Sequence, residues 1–408
     1  MYLTGVRAEA SLTGKPALRI LTGNVLALGL VSLVTDVSAE MVTSVLPAYL
    51  VLGLHLSAAQ FGAVDGLYTG ATALTRLLGG YLADHFRQRK LVAGIGYGLS
   101  ATAKLCLLFT GSLPALIGMT IAADRTGKGL RTAPRDALIT LSVPEDRLGR
   151  AFGAHRALDS LGAFAGPLIA VATLALAGGP GRSYDAVFMV SLCFAVLGVL
   201  LLALFVRDRR DQLPPGAVSL RAALGLLRRG RFRMVCAGAA LLGVATVGDG
   251  FVYLTLQRRD DLPITTFPLL AVATALGYLL LAAPLGRLAD RIGRRPVALA
   301  GYAVLLAVYL LLATGHGPSW LVLALYGAFY ASTDGVLMAI AGPLLPEELR
   351  TSGIALIQTG QAMAYLLSSV LFGLAWQSWG TAPAYLTAAA TVAVTLALST
   401  PLLKGRTS

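Results

Sequence analysis

Gly286-Arg-Leu-Ala-Asp290-Arg-Ile-Gly-Arg-Arg295 ends one apolar run and opens the next, and Gly80-Tyr-Leu-Ala-Asp84-His-Phe-Arg-Gln-Arg-Lys90 does the same half a chain earlier. A second pair keeps nearly the same offset: Pro144-Glu-Asp-Arg147 is echoed by Pro346-Glu-Glu-Leu-Arg350. Two independent matches at one spacing point to a duplicated unit of about 200 residues.

Outward from these stretches the sequence breaks into apolar runs of membrane-crossing length, for which about 20 residues suffice. Twelve can be placed, at 24–53, 58–83, 91–110, 114–139, 148–177, 184–206, 233–256, 265–286, 296–315, 319–343, 350–378 and 382–403. The expected fold is an all-α membrane protein of twelve transmembrane helices arranged as two six-helix repeats. The halves are residues 1–206 and 233–408, joined by a cytoplasmic linker at 207–232. Within the linker, Val218–Arg229 reads either as an amphipathic helix on the inner leaflet or as a basic tether.

Composition agrees. Of 408 residues, 56% are hydrophobic and 13% charged, against about 25% charged in a soluble domain. This excludes a soluble enzyme, a disulfide-rich secreted domain and a disordered chain. A net charge of +13 would suggest nucleic acid in a soluble protein. With a cytoplasmic N-terminus, however, the basic residues between spans fall 23 inside and three outside, the three being Arg182, Arg258 and Arg259. That is a positive-inside bias. It makes the basic charge a topology device in a plasma (inner) membrane, with both termini cytoplasmic and no nucleic-acid partner. The N-terminus shows no short apolar core with a cleavage site, so no removable signal peptide is expected. Cys106, Cys193 and Cys236 sit in apolar runs and suggest no disulfide or metal framework. No cofactor is expected.

The Gly-x-Leu-Ala-Asp-Arg-x-Gly-Arg-Arg stretch at 286–295 resembles the loop signature of the major facilitator superfamily. The copy at 80–90 departs from it, with Arg87 and Gln88 where the signature has Gly and Arg. In the fifth span, Gly153, Gly162 and Gly166-Pro167 resemble the antiporter motif of the twelve-helix drug:proton branch, although its terminal glycine pair is Ala170-Val171 here. Arg125-x-x-Lys128-Gly129 in the fourth span is a weaker match, with Lys128 where that branch has Gln. The resemblance implies a secondary transporter. It also implies that Asp84 and Asp290, set among Gly80, Gly286, Arg291, Gly293 and Arg294, latch the two halves on the cytoplasmic side. Read without the family, those charges only set topology. The glycines then let the fifth helix approach a neighbour closely, and Pro167 bends it.

Fifteen charged residues fall inside spans, beyond the first three positions of each. Seven are basic (Arg76, Lys104, Arg125, Lys128, Arg131, Arg135, Arg156) and eight acidic (Asp36, Glu40, Asp65, Asp124, Asp136, Asp159, Asp249, Asp334). Each would cost roughly 2.5–3.5 kcal/mol facing lipid at mid-membrane, so they must face one another or water. Helical spacing puts Asp124, Lys128, Arg131 and Arg135 on one face. Asp36 and Glu40 are one turn apart, as are His155 and Asp159, with Arg156 beside them. The first half therefore reads as the coupling half and the second as a shape-providing partner. Asp36, Glu40, Asp124 and Asp159 are the candidate proton-coupling residues. Arg125, Lys128, Arg131, Arg135, His155 and Arg156 are the candidate substrate and charge network. The competing reading for Asp36 and Glu40 is a fixed salt bridge to Arg125 or Lys128. Arg135 and Asp136 are placed to snorkel, and Asp65 and Arg76 to act structurally. No second His or Cys stands at ligand spacing from His155, so no metal site is expected.

These readings lead to a proton-coupled exporter of a small organic molecule, anionic or amphipathic. It would work as a monomer by alternating access, with protons and the lipid bilayer as its other partners. A symporter or uniporter of the same fold is the alternative within transport. A non-transporting membrane sensor and a membrane-embedded transferase are the rivals from other classes. The transferase lacks a nucleophile–base arrangement, so the chain is not expected to be an enzyme.

Overall fold

In a bilayer the backbone has only itself to hydrogen bond with, so apolar runs of this length fold as helices. The computed structural model describes residues 23–86, 88–111, 113–144, 147–177, 180–208, 225–333, 340–341, 344–345 and 350–402. Most of the 207–232 linker, and Asp334, lie outside these described residues. Among the described residues the helices are α1 (Gly23–Ala48), α2 (Ala58–Phe86), α3 (Arg89–Leu107), α4 (Pro114–Thr140), α5 (Leu148–Leu176), α6 (Pro180–Phe205) and α7 (Gly230–Val244). They continue with α8 (Asp249–Arg259), α9 (Pro268–Ile292), α10 (Arg294–Thr314), α11 (Ser319–Thr333), α12 (Arg350–Trp379) and α13 (Thr381–Leu402). α1 carries Pro47 near its end and runs on into a wide turn, Tyr49–Gly53, closed by the Leu54 amide donating to Tyr49 O at 2.9 Å. α7 and α8 are two parts of one stretch, Gly230–Arg259.

Among the described residues, eight stretches are long and apolar enough to cross a membrane: α1 with its following turn, α5, α6, α7 with α8, α9 with the turn before it, α10, α12 and α13. The other expected spans differ for a physical reason. α2, α3 and α4 have 29, 19 and 27 residues, which is length enough. Their polar content lowers their hydropathy, most of all in α4, which carries Asp124, Arg125, Lys128, Arg131, Arg135 and Asp136. α11 is described only as far as Thr333.

The chain packs as two compact units. One holds α3–α6 together with the stretches of α1 up to Val45 and of α2 from Ala71; the other holds 46–70 with α7–α13. In the first unit α3 packs on α4 and α6, and α5 on α6 and α4. There Gly162 of α5 abuts the backbone of Leu33 in α1, and Gly129 of α4 abuts Thr72 and Thr75 of α2. In the second unit α10 packs on α11 and α13, α7 on α12, and α9 on α11. The pairings α3–α4, α3–α6, α1–α5 and α2–α4 thus recur as α10–α11, α10–α13, α7–α12 and α9–α11. This order fits a duplicated unit.

Beside a buried apolar core, large apolar side chains face outward and charges lie inside. Leu176 is 87% exposed and Phe109 79%, while Arg125 is 2% and Lys104 5% exposed. A bilayer rewards this arrangement, because apolar groups can face lipid and charges cannot. Outside the spans, Arg259 Nε donates to Asp260 Oδ1 at 2.8 Å and holds that carboxyl below its usual range. The contribution of this contact to the α8–α9 connection is present at neutral pH and is lost as pH falls through the lowered value.

Gly129 shows how tight the helix approach is. A Cβ there would lie on the Thr75 side chain, 2.8 Å from Thr72 O and 2.9 Å from the Arg76 nitrogen. Gly129→Val should force α4 off α2, cost about 1–3 kcal/mol or more as overpacking, and lower the unfolding temperature in detergent. Gly153→Ala is the contrasting substitution, since a Cβ there meets nothing within 4 Å. It should be neutral or slightly stabilising through helix propensity. Thermal unfolding of the two variants side by side checks both directions.

Candidate functional site

Three clusters form where α1, α3, α4 and α5 turn polar faces to one another. In the first, Asp124 is bound on both oxygens. Lys104 Nζ lies 2.7 Å from Oδ1, and Arg125 donates to Oδ2 through Nε at 3.0 Å and again through Nη2. Arg125 therefore turns back onto its own neighbour.

The second cluster is looser. Lys128 Nζ stands 3.9 Å from Asp36 Oδ1 and 3.8 Å from Glu40 Oε1. Arg131 Nη2 lies 3.7 Å from the same Asp36 oxygen, and its guanidinium caps the Tyr97 ring at 4.4 Å. These separations allow ion pairing without a hydrogen bond. The Lys128 and Glu40 side chains are 32% and 27% exposed, the most accessible among these pairs around Asp36.

The third cluster is built on Arg135. Its Nε and Nη2 donate to Asp136 Oδ1 at 3.1 and 3.0 Å, and its Nη1 reaches Ser32 Oγ at 3.2 Å and Asp159 Oδ1 at 3.6 Å. The snorkelling expectation is corrected here, because the Arg135 side chain is only 16% exposed and turns inward. His155 Nε2 lies 2.8 Å from Ser32 Oγ. The same hydroxyl accepts from Arg135, and either its own proton or the imidazole's can make the bond to His155. Asp36 on α1 and Asp159 on α5 are both drawn to cations of α4, Asp36 to Lys128 and Arg131 and Asp159 to Arg135. Arg156 is half-buried on α5 beside this cluster.

The glycines of α5 divide. A Cβ on Gly162 would collide with Leu33 O, and one on Gly166 would lie 2.8 Å from Val37 O and 2.9 Å from Glu40 Cβ. Both set α5 against α1 beside the acidic pair, with Pro167 following. Gly153 has open space, which corrects its expected role in close packing. Gly286 is likewise open. Gly293, at φ 99°, makes the α9–α10 turn that a side chain would strain. Asp290, Arg291 and Arg294 are exposed at that turn. Gly80 and Asp84 lie in the last turns of α2, and the Asp84 side chain falls outside the described residues.

The unit built from 46–70 and α7–α13 holds chemistry that the sequence did not show. Asp65 accepts from Ser369 Oγ at 2.6 Å and from Tyr365 OH at 3.1 Å. Asp249 accepts from Tyr326 OH at 2.7 Å and from Tyr330 OH. Gly248 leaves the room that the Asp65 carboxylate occupies. This part of the molecule therefore supplies partnered acids as well as shape. A cavity of about 290 Å³ lies in the same unit, lined by Phe61, Phe251, Arg258 and Trp376 among others, with the Arg258 guanidinium 5.6 Å from the Trp376 ring. Among the described residues no three His, Cys, Asp or Glu side chains converge as metal ligands would.

Helices that bury a charge network among themselves and turn leucine and phenylalanine outward mark a membrane protein. The chain belongs to the Major Facilitator Superfamily, whose sequence profile matches residues 28–268 and 251–407. The uncharacterized MFS-type transporter MJ1317 of Methanocaldococcus jannaschii is 30% identical over 368 residues, 88% of this chain and 90% of that protein. Among solved structures, the nucleoside transporter NupG superposes with a TM-score of 0.78 at 14% identity, covering 94% of this chain and 100% of that one. A D-xylose-proton symporter superposes with a TM-score of 0.73 at 15% identity, covering 95% and 99%. At such identities the likeness is one of fold.

Proposed function

We propose that the chain is a proton-coupled transporter of a small organic molecule, with the carboxyls of α1 and α5 carrying the coupling proton. The observation that carries this is the approach of Lys128 and Arg131 to Asp36, of Lys128 to Glu40 and of Arg135 to Asp159, all at 3.6–3.9 Å. A proton taken up by one of these carboxyls has those cations as competitors close by. Moving a cation toward either oxygen expels the proton, and moving it away invites one. Asp124, bound by Lys104 and Arg125, anchors the network in this reading. Access alternates between the halves 1–206 and 233–408, with Asp84 and Asp290 as cytoplasmic latches. The chain works as a monomer in the inner membrane, with both termini cytoplasmic.

The α5 motif supports export by exchange. Gly162 and Gly166 seat α5 on α1, so any tilt of α5 moves Asp159 against Asp36. A second reading, proton cotransport, is favoured by Lys128, which sits between two carboxylates that protonation would release. The test is reconstitution into liposomes with a trapped pH indicator and an imposed pH step. Substrate movement should be accompanied by proton movement, opposed in direction for exchange and parallel for cotransport. Transport with no proton movement would overturn the reading.

A further inference from the structure

We infer that Lys128, backed by Arg131, is the docking point for an anionic group of the transported molecule, and that Asp36 and Glu40 occupy that point as internal stand-ins until they are protonated. The inference rests on the proton-coupled reading and deepens it by naming a substrate class.

Distance separates structural from exchangeable pairs. Lys104 and Arg125 contact Asp124 at 2.7 and 3.0 Å and are buried. Lys128 faces its two carboxylates at 3.8–3.9 Å with its side chain 32% exposed. It therefore attracts anions without being locked to either. Arg131 presents Nη2 to the same Asp36 oxygen at 3.7 Å, and the Tyr97 ring fixes its guanidinium plane. Two cations aimed at one point suit an oxyanion.

The groups around Asp36 and Glu40 are Tyr97 and Lys104 on α3; Asp124, Arg125, Lys128, Arg131 and Arg135 on α4; and His155 and Asp159 on α5. Protonating Asp36 and Glu40 removes two anions facing Lys128, and an incoming anion takes their place. Proton and anion binding therefore reinforce each other, by the same factor in both directions. Of the two transport readings, this selects cotransport.

The experiment uses the purified full chain in detergent at constant ionic strength. Sodium benzoate, citrate and inorganic phosphate serve as probes, with chloride as reference. At about pH 6 at least one oxyanion should raise the unfolding temperature by about 2 °C or more over chloride, and by less than half as much at about pH 8. Benzoate or citrate alone acting assigns a carboxylate group; phosphate alone acting assigns a phosphate. Lys128→Gln should abolish the shift and Lys128→Arg should keep it. Glu40→Gln, which resembles the protonated state, should carry the low-pH shift up to the higher pH even if Lys128→Gln does not fold. No probe exceeding chloride, or an undiminished shift in Lys128→Gln, overturns the inference. Proton uptake on adding the active probe separates the two proposals. Binding through Lys128 without uptake removes proton coupling and leaves the anion site. Proton-driven transport of an uncharged solute, with no anion binding, removes the anion site and leaves proton coupling.

Discussion

Asp124→Asn is expected to leave little folded protein. The carboxylate serves Lys104 at 2.7 Å and Arg125 at 3.0 Å, and those cations are 5% and 2% exposed. An amide keeps the shape but removes the charge, so two buried cations remain side by side across α3 and α4. Breaking a buried ion pair by removing one partner costs on the order of 3–5 kcal/mol, against a typical total stability of about 5–15 kcal/mol. The α3–α4 contact also carries Ser100 Oγ donating to Asp124 O at 3.1 Å, which the substitution leaves in place. The loss is therefore electrostatic and can be compensated. Lys104→Met combined with Asp124→Asn should recover part of the unfolding temperature, because one of the stranded charges is gone. Membrane yield and thermal unfolding of the single and double variants provide the check. A wild-type unfolding temperature for Asp124→Asn would remove the anchor from this account.

Eight of the expected spans, the one-turn spacing of Asp36 and Glu40, and the close approach of α5 at Gly162 and Gly166 were legible in the sequence because each depends on a period or a residue size. The choice of partner was not. Helical spacing put Arg125 and Lys128 equally within reach of Asp36, yet Arg125 turns back onto the adjacent Asp124, and a long guanidinium side chain makes that turn without disturbing the helix. Arg135 and Asp136 near the end of their span suggested snorkelling, but Ser32 on α1 and Asp159 on α5 draw Arg135 inward. Tyr326, Tyr330, Tyr365 and Ser369 were invisible as partners of Asp249 and Asp65. A hydroxyl inside an apolar run changes neither hydropathy nor period, and only the three-dimensional neighbour gives it a role.

Asp36→Asn combined with Glu40→Gln is expected to abolish proton-coupled flux while sparing the fold, the opposite outcome from Asp124→Asn. The distances decide the difference. Lys128 and Arg131 approach the α1 acids at 3.7–3.9 Å, so no hydrogen bond is lost, and Lys128 is accessible enough for water to solvate it. The stability change should be smaller than the ~3–5 kcal/mol of the Asp124 pair, because Lys128 is solvated and the Arg131 guanidinium keeps the Tyr97 ring. The functional change is larger, since neither amide takes up a proton in the working pH range. Asp159 keeps its approach to Arg135. Proton entry accompanying substrate should fall by about 100-fold or more, the scale on which loss of a general acid–base group is felt. Substrate exchange across the membrane without a pH gradient should persist, because the Lys128 and Arg131 cations remain. Liposomes with a trapped pH indicator, run beside labelled-substrate exchange, report both quantities on one preparation. Coupled proton entry at the wild-type rate would move the proton path away from α1, and the Asp65–Asp249 cluster, with its four hydroxyl donors, would be the next place to cut.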